Sequence, residues 1–230
     1  MAADRAERLL ALVGPTASGK TEAGVTVAER LGAEIVSVDS MLVYRGMDVG
    51  TDKPGPAERA RVPHHLLDVA EPEEPFSVAR YQTLARRAVE EIRRRDHRVL
   101  LVGGSGLYFR AVVDDLEFPG TDPTARRELH LQAAALGPER LHARLAELDP
   151  AAAERIEPAN VRRTVRALEV AAVTGRPFSS FAASWDRYPP DRVRAAGIDM
   201  DRDALVRRIE TRVHAMVEGG FLEETRRLLE

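Results

Sequence analysis

The segment Gly14-Pro15-Thr16-Ala17-Ser18-Gly19-Lys20-Thr21 fits the spacing G-x-x-x-x-G-K-[ST], the pattern of a loop that cradles phosphate. Backbone N–H groups of such a loop can point inward at an anion, and the N-terminus of a following helix adds partial positive charge. Glycine at 14 and 19 permits a tight turn and close approach of backbone to ligand. Lys20 brings a full positive charge, and the Thr21 hydroxyl can ligate Mg²⁺. These residues specify phosphate. They leave open which phosphate compound is bound and what happens to it.

Other side chains could join that chemistry. Asp39 ends a β-branched run, with Ser40 beside it. A carboxylate there can hold Mg²⁺, take a proton from a nucleophile, or merely cap a loop. Ser105, within Gly103-Gly104-Ser105-Gly106, can donate to phosphate or to a base edge, or simply sit in a tight turn. His64 and His65 are adjacent, so on an extended segment they face opposite sides; that is poor metal geometry, and a structural role is expected. Arg162, Arg163 and Arg166 share one side of a helix. They read either as a solvated face or as a grip on RNA phosphates. Arg208 and Arg212 form an i, i+4 pair that could reach phosphates or pair with Glu210 or other acids.

The elements that position these groups follow from periodicity. Leu9 to Val13 is a continuous apolar run, as a buried parallel strand should be. A helix is expected from Thr21 to Leu31, closed by Gly32. Ile35 to Val38 reads as a second strand, and Asp39 falls at its carboxyl end, the edge where parallel α/β sheets bind ligands. Residues 40–63 read as loop, and His64 to Val69 as a further short strand. A helix follows from Val78 to about Arg95. Val99 to Val102 is the third clear strand, and Leu107 opens another helix. The phosphate loop, Asp39 and the Ser105 turn are therefore expected to converge.

From about Leu116 the pattern turns wholly helical. Asp122-Pro123, Pro138, Pro150 and Asn160 each open a helix, the last running to Gly175. Arg176 to Asp191 reads as loop, Val193 to Ile198 as a returning strand. Helices from Asp201 to Glu218 and from Phe221 to Glu230 complete the chain. The expected class is α/β: a P-loop NTPase-like parallel sheet flanked by helices, with an all-helical insertion domain. The core would comprise 1–115 and 191–230, the insertion 116–190.

Composition narrows the class further. The 230 residues, 44% hydrophobic, suffice for one sizeable domain or a core plus an insertion. No segment approaches 18 uncharged apolar residues, and the first residues lack a signal-peptide pattern. There is no cysteine, which removes disulfides and thiolate metal sites. A soluble cytoplasmic protein is expected, with no membrane partner. The net charge of −3 does not advertise a nucleic-acid binder. Lys20 and Lys53 are the only lysines, and both sit in motif-like stretches.

Taken together the motifs resemble the tRNA dimethylallyltransferases, the isopentenyl-diphosphate:tRNA transferase family. Residues 14–21 match that family's P-loop variant. Asp39-Ser40-Met41-Leu42-Val43-Tyr44-Arg45-Gly46-Met47-Asp48-Val49-Gly50-Thr51-Asp52-Lys53-Pro54 resembles its second block, and Pro63-His64-His65-Leu66-Leu67-Asp68 its third. Val102-Gly103-Gly104-Ser105-Gly106-Leu107-Tyr108 resembles its fourth. Arg166 to Val170 and Arg208 to Val213 look like later blocks. Together these blocks span nearly the whole chain, in order.

The resemblance implies transfer of a dimethylallyl group from dimethylallyl diphosphate to N6 of an adenine beside the tRNA anticodon, with Mg²⁺ assisting. By motif position Asp39 is the general base. Thr16 and Ser105 position the reacting groups, and Arg208 or Arg212 steadies the diphosphate. Asp39, Ser40, Met41, Leu42, Ser105, Arg126, Arg162, Arg163, Thr164, Val165 and Arg166 match tRNA-contacting positions. The insertion would close over the anticodon arm, and the protein is expected to act as a monomer. Two departures stand out. Serine occupies position 105 where the family usually has threonine; the hydroxyl survives, so activity is expected to survive with looser positioning. The family's later Gly-Tyr segment, which also contacts tRNA, is absent, so the chain reads as truncated at its C-terminus. The rival readings are a P-loop kinase of a small metabolite, using ATP, and a nucleotide-regulated binding module without turnover.

Overall fold

The computed structural model describes residues 8–114, 116–184 and 191–230. The chain divides into two compact units, Met1–Val113 with Pro189–Glu230, and Asp114–Tyr188.

The first unit is a parallel sheet in the order β3-β2-β4-β1-β5, with β1 at Leu9–Val13, β2 at Ala33–Ser37, β3 at His64–His65, β4 at Arg98–Gly103 and β5 at Val193–Gly197. The central strands β1 and β4 are mostly apolar on both faces, which is what burial under helices on two sides demands. Leu12, Ile35 and Leu100 pack with Val25 and Ala28 of α1, Lys20–Leu31. That helix ends at Gly32, which takes the left-handed conformation (φ 60°) that a side chain would resist. The chain passes from β1 to β2 in one direction across the sheet and from β3 to β4 in the other. Right-handed crossovers then place the intervening helices on opposite faces. The second of these is α3, Val78–Arg94, started by the Ser77 hydroxyl accepting from Arg80 N–H at 3.2 Å. Tyr81, Ala85, Ala88 and Ile92 form its buried stripe.

Two local expectations needed revision. Residues 40–63 contain a short helix, α2, Pro56–Arg61, with Pro56 in its first turn and Glu58 accepting from Gly55 N–H at 3.0 Å. None of its residues is buried, so it leaves no apolar period to read. The strand expected over His64 to Val69 pairs only at His64–His65, because Leu66 and Asp68 turn to positive φ (65° and 57°). Asp68 is held there by Lys53 at 2.7 Å and Arg59 at 2.9 Å. The helix α4, Gly106–Val113, follows β4. The last helices of the unit are α9, Arg202–Glu218, and α10, Phe221–Leu229.

The helical unit contains α5, Pro123–Leu136, α6, Pro138–Leu148, α7, Pro150–Arg155, and α8, Val161–Thr174, then a 3₁₀ turn at Phe178–Ser184. Asp122, Asp149 and Asn160 cap α5, α7 and α8 through their side chains; Asp122 and Asn160 stand where helix starts were expected, whereas only Pro150 marked the start of α7. The core is Leu129, Ala133, Leu141, Leu145, Ile156, Val165 and Leu168. The later part of the expected 176–191 loop, Trp185 included, lies outside the described residues.

Candidate functional site

The carboxyl ends of β1, β2 and β4 deliver three segments to one cleft of about 640 Å³. From β1 comes the phosphate loop: Gly14, Pro15, Thr16, Ala17, Gly19, Lys20 and Thr21 all line it. From β2 come Asp39, Ser40, Met41 and Leu42, and from β4 Gly103, Gly104 and Ser105. The convergence expected from strand ends is therefore present. Ser18 is the exception within the loop: it is buried, and among the described residues its hydroxyl has no hydrogen-bond partner.

The loop's shape depends on unusual backbone. Ala17 and Gly19 have φ of 60° and 86°, and Lys20 folds back so that its ammonium donates to the Pro15 carbonyl. Burial pulls the Lys20 pKa below the ordinary lysine range; the Asp39 carboxylate opposes this and the Arg212 guanidinium adds to it. The charges of Lys20, Asp39 and Arg212 are thus felt together. The β2 and β4 ends must pass very close. A Cβ on Gly103 would lie 2.4 Å from the Val38 carbonyl oxygen, so only glycine fits there. Ser105 N–H donates to that same carbonyl at 3.1 Å.

Asp39 accepts from Met41 N–H at 2.9 Å, which orients the carboxylate and leaves its second oxygen for other work. The Ser105 hydroxyl accepts from Tyr108 N–H at 3.4 Å, so it serves the start of α4 as well as lining the cleft.

Arg212 reaches the cleft from α9. It donates to the Thr16 hydroxyl and to the Thr51 carbonyl, each at 3.2 Å, and pairs with Asp52 at 3.4 Å. Its partners are therefore in the cleft wall rather than at Glu210. Arg208, one turn earlier, does not line the cleft. It lies against the loop, where a Cβ on Gly19 would be 3.3 Å from its guanidinium, and lines another pocket with Ala17 and Arg212.

Sequence reasoning left several cleft residues unassigned. His64 lines the cleft although a purely structural role was expected of it. It does also have a structural bond, from Nδ1 to the Val62 carbonyl at 2.8 Å, and burial lowers its pKa. His65 points the other way, to Glu34 at 2.6 Å, as alternation on a strand requires. Thr51 and Asp52 stood inside the long 39–54 block; only a fold that brings α9 to that block could reveal their contact with Arg212.

In the helical unit the expected RNA contacts separate into two sets. Arg162 and Arg163 are exposed on α8. Arg126 and Arg166 are instead committed to Glu169, a fully buried carboxylate, at 2.8 and 2.9 Å. Arg166 also donates to the carbonyls of Pro119 and Gly120. Burial would raise the Glu169 pKa, but these guanidinium bonds and the Asp122 amide hold it below the usual carboxylate range. Thr164 and Val165, expected at the RNA, are each 1% exposed and belong to the core. An amphipathic helix cannot present five consecutive residues on one face.

Among the described residues, no cluster of three or more His, Asp or Glu side chains could hold a metal ion, and no helix is long and apolar enough to cross a membrane.

Comparison with known proteins finds relatives over nearly the whole chain. The family model described as IPP transferase matches residues 42–230. The tRNA dimethylallyltransferase of Acidothermus cellulolyticus is 55% identical over 226 residues, covering 97% of this chain and 70% of the relative. That of Pelotomaculum thermopropionicum is 46% identical over 229 residues, covering 99% of this chain and 73% of the relative. Among solved structures, the tRNA isopentenylpyrophosphate transferase of Bacillus halodurans superposes with a TM-score of 0.63 at 43% identity, over 97% of this chain and 70% of that one. A eukaryotic dimethylallyltransferase acting on tRNA superposes with a TM-score of 0.83 at 24% identity, over 97% of this chain and 56% of that one, and adds evidence for the fold alone.

Proposed function

This chain belongs to the IPP transferase family, and from that premise we propose how its cleft transfers a dimethylallyl group to tRNA: from dimethylallyl diphosphate to the exocyclic N6 of an adenosine beside the anticodon, releasing diphosphate. The observation that supports the mechanism is that Asp39 and the phosphate loop line one cleft.

In this reading the nitrogen attacks the allylic carbon and forms the C–N bond. The C–O bond to diphosphate breaks, and its electron pair leaves on oxygen. Charge growing on that oxygen is met by loop amides, Lys20 and Arg212, the last already fixed by Thr16, Thr51 and Asp52. Asp39 takes the proton from N6, since an adenine amine is a weak nucleophile. Thr16, already bonded to Arg212, and Ser105 position the reacting groups. Arg208, close to Gly19, supports the loop. The target base leaves its stack to enter the cleft, where Met41 and Leu42 offer apolar contact. Arg162 and Arg163 supply phosphate contacts to the RNA. The protein acts as a monomer.

Mg²⁺ fits the cleft. Magnesium is usually held by one or two protein oxygens, substrate phosphates and water. Thr21 and Asp39 are oxygen donors in the cleft wall, Thr21 being the residue we assign to the ion. Bound there, it would supply charge neutralisation of the diphosphate.

The test offers labelled dimethylallyl diphosphate and, separately, labelled ATP, each with tRNA. Nucleosides are then separated and weighed. A dimethylallyl adenosine formed from the first donor is expected. Label passing only from ATP to a small acceptor would overturn the proposal in favour of a kinase.

A further inference from the structure

Glu224 lies outside the cleft, on α10, yet it is tied to the loop that holds Arg212. Its carboxylate is buried, at 4% exposure. It accepts from the backbone N–H groups of Asp48 and Val49, both at 2.8 Å, and of Gly50 at 3.0 Å. Hydrogen bonds to an ionised acceptor are stronger than neutral ones. Burial by itself would raise this carboxyl's pKa, but the three amides outweigh it and hold the pKa below the usual range. Phe221 closes the contact: a Cβ on Gly50 would come within 2.5 Å of its ring.

The pinned turn runs straight into the partners of Arg212. Thr51 Oγ1 donates to the Met47 carbonyl at 2.6 Å, and Lys53 N–H to the Asp48 carbonyl at 3.0 Å. Thr51 O and the Asp52 carboxylate then grip the Arg212 guanidinium, whose Nη1 also donates to Thr16. A free arginine side chain samples many rotamers, and ordering it costs entropy. Acceptors fixed in advance remove that cost from the binding step.

We infer that Glu224 is a positioning residue for Arg212: by anchoring residues 48–50 it fixes the Thr51 carbonyl and the Asp52 carboxylate that aim the guanidinium at the phosphate loop. The inference deepens the transferase reading and rests on its assignment of Arg212 to the diphosphate.

The test uses the whole chain and inorganic pyrophosphate as the probe, titrated by calorimetry against the parent, Glu224→Gln, Arg212→Ala and the double variant. Glu224→Gln keeps the volume and removes the charge. Each single change is expected to weaken binding about tenfold, and the double to be no worse than about twofold beyond Arg212→Ala. Penalties that multiply would mean Glu224 acts elsewhere and would overturn the inference. The second readout is the Arg212 Nε–H resonance, identified by its loss in Arg212→Ala. It should move in Glu224→Gln while those of Arg126 and Arg166 stay; an unmoved signal overturns the inference. Should Arg212→Ala bind pyrophosphate like the parent, the diphosphate assignment fails, and the resonance alone judges Glu224. Should Glu224→Gln not fold, Glu224→Asp carries both comparisons. It keeps the charge on a shorter arm, and a smaller displacement in the same direction is expected; none would overturn the inference.

Discussion

Arg212 donates through Nη1 to the Thr16 hydroxyl at 3.2 Å, across 196 positions of chain. The bond joins the first functional loop of the sheet unit to its penultimate helix. It places a second cation beside Lys20, where a lone phosphate loop would have one.

Removing that cation should cost rate. Arg212→Ala is expected to slow prenyl transfer by roughly 10²–10³, the scale for one preorganised donor at a developing anion. Single-turnover kinetics with saturating donor is the measurement. A rate within a few-fold of the parent would take Arg212 out of the chemistry.

Asp39→Asn should separate rate from binding. The amide oxygen can still accept from Met41 N–H, which Asp39 now does at 2.9 Å, so the loop should hold. Transfer should fall by roughly 10²–10⁴, the usual worth of a positioned base, with pyrophosphate affinity little changed. If affinity fell in step with rate, Asp39 would be a binding group and not the base.

The arginines of the helical unit should divide as their contacts do. Arg166→Ala strips a bond from the buried Glu169 and should destabilise the fold by about 1–3 kcal/mol, read from denaturant melts. Arg162→Ala and Arg163→Ala should stay within about 0.5 kcal/mol of the parent, while weakening tRNA binding and flattening its salt dependence. Equal melts for Arg166→Ala and Arg162→Ala would contradict the contact geometry.

Stability should fall in acid, and Glu34 should account for part of the fall. Glu34 is buried and would on that ground be raised. Hydrogen bonds from Arg95, His65 and His97 instead lower its pKa from 4.5 to about 2. A depressed folded-state pKa adds stability above the unfolded value, lost as pH falls through the folded one. The window is therefore from 4.5 down to about 2. Glu34→Gln should be less stable near neutrality and show a shallower acid limb between those limits. A parallel curve would remove Glu34 from the linkage.

Two glycines of one turn should behave oppositely. Gly103→Ala drives a methyl into the Val38 carbonyl at 2.4 Å and should cost about 1–3 kcal/mol, with the cleft distorted. A Cβ on Gly106 meets nothing within 4 Å. Gly106→Ala should be neutral, or stabilising by about 0.4–1 kcal/mol through the unfolded chain. Thermal melts of the two variants suffice.

Residues 14–21 were legible because eight neighbours in sequence make a whole anion cradle. Asp39 and Ser105 were legible because each follows a clear strand, and parallel strands end on a common edge. The helix starts at Asp122 and Asn160 could be read for the same local reason. Helix α2 could not, since it buries nothing and writes no period. Arg126 stood out only through the family resemblance and Arg166 also as a helix-face arginine; their pairing with Glu169 was hidden because that carboxylate is indistinguishable in sequence from a surface acid.

The sequence alone determined the parts whose physics is local: the phosphate loop, the strand and helix periods, the caps, and the family those blocks together resemble. Tertiary structure decided the pairings between distant residues. It set Arg212 on Thr16, Glu224 on the 48–50 amides, Arg126 and Arg166 on Glu169, and turned Ser18, Thr164 and Val165 inward. Such choices depend on which charges folding desolvates together. A buried carboxylate must find its donors wherever the chain brings them, and sequence spacing carries no record of that.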